Sequence, residues 1–304
     1  MSKKLLTVLF MAVLSLQLGA YEYFMESGDY RVRISAKFKH TIRQIIWKKF
    51  EIGRPTGYYG AILVPKPGKF IGAGHTEGGM EEVLSVKVDC DGKSIAPAPR
   101  LVLKGKKITV DKISRFANLL FNIRLELTPE GLIETKRFVA LAEQKIHLFY
   151  AHIYCFNKSF TDYYALSDTG KIISGKFTLP KLDKLPKDRK NLKKAWHVRS
   201  DVRYTSEYDA AAKKGVLLYY PQVIKGKLHK STFWEVPYAY MKYYMVTDVP
   251  GVVPANWESP TYTVAVRCFE AASVEEMPQA VKDNAEIASK FQYPALAKPE
   301  LPKK

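Results

Sequence analysis

Alternation of apolar and polar positions with a period of two runs through most of this chain. From Arg31 to Phe38, Val32, Ile34, Ala36 and Phe38 fall on one face and Arg31, Arg33, Ser35 and Lys37 on the other. From Asn118 to Leu127, Leu119, Phe121, Ile123, Leu125 and Leu127 face one way, and Asn122, Arg124 and Glu126 the other. Such alternation predicts half-buried β-strands. The run His147 to Phe156 is apolar on both faces and predicts a central strand. Leu148, Tyr150, His152, Tyr154 and Phe156 form one expected face, and Phe149, Ala151, Ile153 and Cys155 the other.

Turn chemistry separates the runs. Asp91-Gly92, Pro129-Glu130-Gly131 and Asp168-Thr169-Gly170 each sit between strand-like segments, and such glycines supply the positive φ that tight hairpins require. No helical segments alternate with the strands, so the pattern predicts an all-β fold, a large antiparallel β-sandwich, over residues 21–270. A short C-terminal helix is expected between Ser273 and Phe291, with Ser273 as its cap and Pro278 obscuring its start. Residues 271–304 are read as this helix and a frayed tail.

The first twenty residues read differently. Lys3 and Lys4 precede an apolar run from Leu5 to Leu18, which ends at Gly19-Ala20. This is the layout of a secretory signal, cut before Tyr21. The run is shorter than the roughly 20 residues of a membrane span, so no transmembrane anchor is expected. The expected location is secreted or periplasmic. Three cysteines, Cys90, Cys155 and Cys268, all lie in apolar runs; they read as buried thiols, and one disulfide among them is left open.

Charge narrows the partners. The formal net charge is +18, and without Lys3 and Lys4 the remaining 46 basic residues face 30 acidic ones, leaving +16. Such a field attracts polyanions. Export removes the chain from cytoplasmic nucleic acid, so no nucleic-acid partner is expected, and acidic carbohydrate polymers fit the compartment better. The segment Lys181 to Lys194 carries seven basic and two acidic residues and reads as an exposed loop.

The segment IGAGHTEGGMEE, Ile71 to Glu82, sets His75 and Glu77 among four glycines. An imidazole and a carboxylate on a loop are candidates for acid–base work. The glycine spacing fits neither a dinucleotide fingerprint nor a P-loop, so no cofactor is expected. No third ligand accompanies His75 and Glu77, and neither Cys-x-x-Cys nor His-Glu-x-x-His occurs, so no metal is expected. His152 is the second acid–base candidate, with Tyr150 and Tyr154 beside it to hold a sugar ring. Arg124 and Glu126 are candidate substrate contacts, as is Trp196 next to the basic loop.

With its GAGHTEGG loop at 72–79 and its YAHIYCF strand at 150–156, the chain resembles the galactose-mutarotase-like β-supersandwich proteins. That group includes sugar epimerases and the large β domains of many polysaccharide lyases and glycoside hydrolases. The resemblance implies a carbohydrate site on a concave sheet face, built from His, Glu, Arg and aromatic residues. Two functions are expected from these readings. One is recognition of an acidic glycan, with lyase or epimerase-like catalysis by His75 or His152, Glu77 as partner, and Arg124 neutralising a carboxylate. The other is non-catalytic docking of an envelope protein on an anionic polymer through the basic loop. The first requires His75, Glu77, His152 and Arg124 to converge on one face.

Overall fold

The computed structural model describes residues 21–55, 59–74, 81–177, 195–222, 230–235, 241–246 and 251–301, with the backbone alone at 195, 196, 199, 230–235 and 241–246. His75, Glu77 and the basic loop Lys181 to Lys194 therefore lie outside the described residues, as do residues 1–20.

The strands in chain order begin with β1 Glu22–Ser27, β2 Tyr30–Ser35, β3 Thr41–Trp47, β4 Phe50–Gly53, β5 Gly60–Pro65 and β6 Ile71–Ala73. Next come β7 Glu82–Cys90, β8 Lys93–Ile95, β9 Val102–Lys104, β10 Ile108–Phe116, β11 Leu119–Thr128 and β12 Gly131–Ala140. Then follow β13 Gln144–Phe156, β14 Asp162–Ser167, β15 Ile172–Lys176, β16 Ala195–Ser200, β17 Val202–Asp209 and β18 Lys214–Tyr219. The last are β19 Lys230–Glu235, β20 Met241–Val246, β21 Val252–Val253 and β22 Tyr262–Glu270, before the helix α1 at Met277–Ser289.

They form two sheets. The first runs β16-β19-β20-β13-β4-β3-β2-β1-β9, with β5 and β21 attached along β13 and β6 paired to β5. The second runs β15-β14-β17-β18-β22-β12-β11-β10-β7-β8. Nearly all pairings are antiparallel; β1 with β9 is parallel. The two sheets pack face to face around one large apolar core, the all-β sandwich that the alternation predicts. Leu119, Phe121, Ile123, Leu125 and Leu127 all point into that core. The rings of Phe121 and Phe138 stack 5.2 Å apart there, with Phe149 5.1 Å from Phe138. Burying each such ring is worth about 1.5–3 kcal/mol.

Asp91 and Gly92 both take positive φ, 50° and 82°, in the hairpin joining β7 to β8, as a tight antiparallel turn demands. The helix starts at Met277, later than Ser273. Pro278 stands in its first turn, where a missing N–H costs nothing, and Ser273 accepts the Glu276 N–H instead of capping the helix. Val281, Ala285 and Ala288 seat α1 on the outer face of the second sheet, against Tyr208 and Phe269. The tail beyond it bonds to the same face, with Asn122 and Arg137 donating to the carbonyls of Ala297 and Leu296. Cys90, Cys155 and Cys268 are all buried free thiols.

Candidate functional site

Near one another lie the turn from Ala36 to His40 and both described ends of the glycine-rich loop, with Gly74 against Thr41 and Glu81 meeting Lys39 at Lys112. What gathers beneath them depends on β13. Its register against β20 shifts between Tyr150 and His152, and against β5 between Tyr150 and Ile153. A bulge reverses the facing of all residues beyond it. Phe149 therefore shares the inner face with His152 and Tyr154, and the simple alternation expected for this strand does not hold. Before the bulge the inward residue meets Phe138; after it, the inward residues meet Glu134.

Glu134 and Lys136 occupy alternate inward positions of β12, between Leu132 and Phe138. The Glu134 carboxylate receives His152 Nδ1 at 2.9 Å and the Tyr154 hydroxyl at 2.8 Å on Oε2. Lys136 Nζ lies 3.0 Å from the other oxygen. That ammonium also donates to the carbonyls of Gly60 and Ala151, at 2.9 and 2.8 Å, so its three protons are all used. Burial opposes the Glu134 charge, but Lys136, His152 and Tyr154 overcome it and hold the carboxyl at about 2. Burial, reinforced by the Lys136 charge, lowers His152 to about 4 against the pull of Glu134. At neutral pH His152 is therefore an uncharged imidazole donating its Nδ1 proton to Glu134.

A second buried pair stands nearby. Lys112 Nζ is 2.7 Å from Glu81 Oε1 and donates to the Lys39 carbonyl at 2.7 Å. His40, whose Nδ1 meets the Tyr23 hydroxyl at 3.3 Å, is lowered to about 4 by burial and by the charges of Lys112 and Lys39. A cavity of about 10 Å³ lies between the pairs, lined by His40, Thr41, Gly60, Ala73, Lys112 and Glu134, among others. It has room for about one water molecule. Gly60 is obligatory here. Its φ is +114°, and an added Cβ would stand 2.1 Å from the Ala73 carbonyl oxygen.

On the outer face of the first sheet, Arg33 and Arg43 both donate to the Pro55 carbonyl, at 3.3 and 3.2 Å. Arg33 also meets Glu22 at 3.3 Å. The Arg43 guanidinium lies 3.9 Å from the Phe38 ring centre, and that of Arg31 lies 4.3 Å from Phe24. Burial, with Arg33 alongside, lowers the Arg43 pKa from its ordinary value. The face thus carries guanidiniums on aromatic platforms, flanked by the Gln44–Glu51 and Lys104–Glu26 pairs.

The residues singled out from the sequence do not all meet. His152 and Tyr154 do, at Glu134. Arg124 projects from the other side of β11, where it grips Asp111 with two bonds of 2.6 and 2.8 Å. Glu126, on that same side, pairs with Lys107 at 2.9 Å. Tyr150 is half-buried in β13, ahead of the bulge's inward residues. Trp196 lies in β16, paired in register with Trp234 of β19. Among the described residues, no three His, Cys, Asp or Glu side chains gather as a metal site. Glu134, Lys136, Glu81, Lys112, Arg33 and Arg43 were not singled out. The first two had a signal: two charges on the face of β12 that otherwise carries Leu132 and Phe138.

No family model matches the chain, and no curated relative does. Solved structures with a similar strand arrangement include a galactose mutarotase-like protein from Clostridium acetobutylicum, at 13% identity and TM-score 0.46. That likeness covers 81% of this chain and 94% of the other. A galactose mutarotase-like protein from Lactobacillus casei follows at 11% identity and TM-score 0.43, over 82% of this chain and 100% of the other. An α-galactosidase from Geobacillus stearothermophilus has 8% identity and TM-score 0.44, over 85% of this chain and 42% of the other. Proteins described as galactose mutarotase-like thus stand among the solved structures with a similar strand arrangement.

Proposed function

We propose that this chain is an exported β-sandwich protein that binds an acidic glycan on the outer face of its first sheet, at Arg33, with the buried Arg43 guanidinium beside it. The observation that carries this reading is the convergence of two guanidiniums on one carbonyl, Pro55, with Glu22 as the carboxylate whose charge reaches both. Two like charges so placed repel, and an arriving carboxylate or sulfate relieves that repulsion. Guanidiniums also match such groups two bonds at a time. Phe24 and Phe38 add flat apolar surface for the face of a sugar ring. Export to the periplasm or beyond, by removal of residues 1–20, belongs to the same proposal, as does the +16 field that would draw acidic polymers in.

Binding is favoured over catalysis by His152, because that imidazole is fully buried and commits its Nδ1 to Glu134. A general base must reach the proton it abstracts. Lyase or epimerase-like catalysis remains the second reading, carried by His75 and Glu77. In its favour, Ala73 lines the charged cavity just before that loop, and Glu81 pairs with Lys112 just after it.

The test is a glycan-binding screen of the chain lacking residues 1–20, at low and moderate salt, beside Arg33→Ala and His75→Ala variants. Selective binding to one acidic glycan class that survives moderate salt and is lost in Arg33→Ala is the expected result. Diffuse binding to every polyanion, abolished by salt and indifferent to Arg33, would overturn it. Turnover of a bound glycan that disappears in His75→Ala would establish the catalytic reading.

A further inference from the structure

A separate groove of about 690 Å³ opens where the turn after β5, the start of β13 and β21 meet. Its frame is backbone. The Lys66 N–H donates to the Lys145 carbonyl, and the Ile146 N–H to the Gly251 carbonyl, both at 3.0 Å. Lys145 faces Val252 in register, and Ile146 faces Pro65. Lys66, Lys145 and His147 bring basic groups to the groove, Pro67, Ile146 and Val252 bring apolar surface, and no acidic side chain lines it among the described residues. Val252 is 47% exposed, and Phe70, on the same turn as Lys66, is 48% exposed. Lys69, also exposed, stands between Lys66 and Phe70 in sequence.

Basic side chains around water-exposed Phe and Val are the composition of a surface that meets the boundary between headgroups and acyl chains. Lysine stems can lie along apolar surface while their ammonium groups reach phosphate. A soluble anion would use the lysines and leave Phe70 and Val252 without a role. We infer that this edge of the sandwich docks on an anionic phospholipid bilayer, with a headgroup phosphate between Lys66 and Lys145 and with Phe70 and Val252 entering the boundary. This surface is independent of the arginine face.

The test is co-sedimentation of the chain lacking residues 1–20 with vesicles of phosphatidylglycerol in phosphatidylcholine, and of phosphatidylcholine alone. Lys66→Glu/Lys145→Glu is compared with Lys93→Glu/Lys282→Glu, an equal charge change on the exposed surface elsewhere, and with Phe70→Ser/Val252→Ser. Circular dichroism confirms that each variant folds. Binding should require phosphatidylglycerol and fall at least about tenfold in the first pair. It should be nearly unchanged in the second and fall several-fold in the third, whose charge is unaltered. Equal losses in the two charge-reversed pairs would reduce the effect to the general field and overturn the proposal. Two other results would also overturn it: no vesicle binding, or binding displaced by inorganic phosphate at constant ionic strength and indifferent to Phe70 and Val252.

Discussion

His152 Nδ1 stands 2.9 Å from Glu134 Oε2, with both residues sealed between the two sheets. That contact exists because β13 slips register at Tyr150 and β12 places a carboxylate where an apolar residue would ordinarily sit. Lys136 and Tyr154 complete the arrangement, so a buried negative charge is met by an ammonium and two further donors. Networks of this kind are costly to leave half-made.

Removing one member should expose that cost. Glu134→Ala leaves the Lys136 ammonium buried without its carboxylate and takes the acceptor from His152 and Tyr154. The expected loss is about 3–5 kcal/mol of folding stability, measured by urea denaturation. A loss below about 1 kcal/mol would mean that water reaches the cluster.

Acid should loosen the fold in a defined window. His152 is lowered to about 4 from 6.5, and so is His40. Between these values the unfolded chain binds protons that the folded one refuses, so stability falls as pH drops from about 6.5 to 4. Glu134, held at about 2 against an ordinary 4.5, adds a further loss as pH falls from about 4.5 toward 2. The His152 share is up to about 3 kcal/mol. Urea midpoints measured from pH 8 to pH 4 should be level above neutrality and decline below it. A flat profile through pH 5 would contradict the buried neutral histidines.

Two glycines with positive φ should respond differently to alanine. Gly92 has open space around its missing Cβ, so Gly92→Ala should cost only the conformational strain of about 1–2 kcal/mol. Gly60→Ala adds a collision with the Ala73 carbonyl at the cavity wall and should cost clearly more. Thermal melts of the two variants side by side decide whether the close approach at Gly60 matters.

Arg124 and Arg33 separate the two faces. Arg124→Ala removes a partly exposed ion pair with Asp111, worth about 0–1 kcal/mol, and should leave glycan affinity unchanged. Arg33→Ala should weaken binding by about tenfold or more, and Arg33→Lys should restore little, because one ammonium cannot reproduce a paired guanidinium contact. Titration of one acidic oligosaccharide against the three variants checks this, and an Arg124→Ala defect as large as that of Arg33→Ala would relocate the site.

Much of the architecture is written in local pattern. Alternation at Val32 and Ile34 and from Leu119 to Leu127 marks strands that bury one face, because side chains of successive strand residues must point opposite ways. Asp91-Gly92 marks a hairpin because few other pairs tolerate two positive φ values in a row. The C-terminal helix is legible too, although its start is set by packing of Met277 on the sheet and by the fit of Pro278 in the first turn. The facing of His152 is of another kind. Nothing between His147 and Phe156 announces a bulge, since both faces are apolar and either phase buries them equally well. The slip arises from pairing β13 with β20 on one edge and with β5 on the other, and those partners lie about 80 or more residues away in the chain. Register between distant strands is a property of the assembled sheets. It alone decided that His152 meets Glu134 inside the sandwich, whereas the outward facing of Arg124 already follows from its alternation with the core residues Ile123 and Leu125.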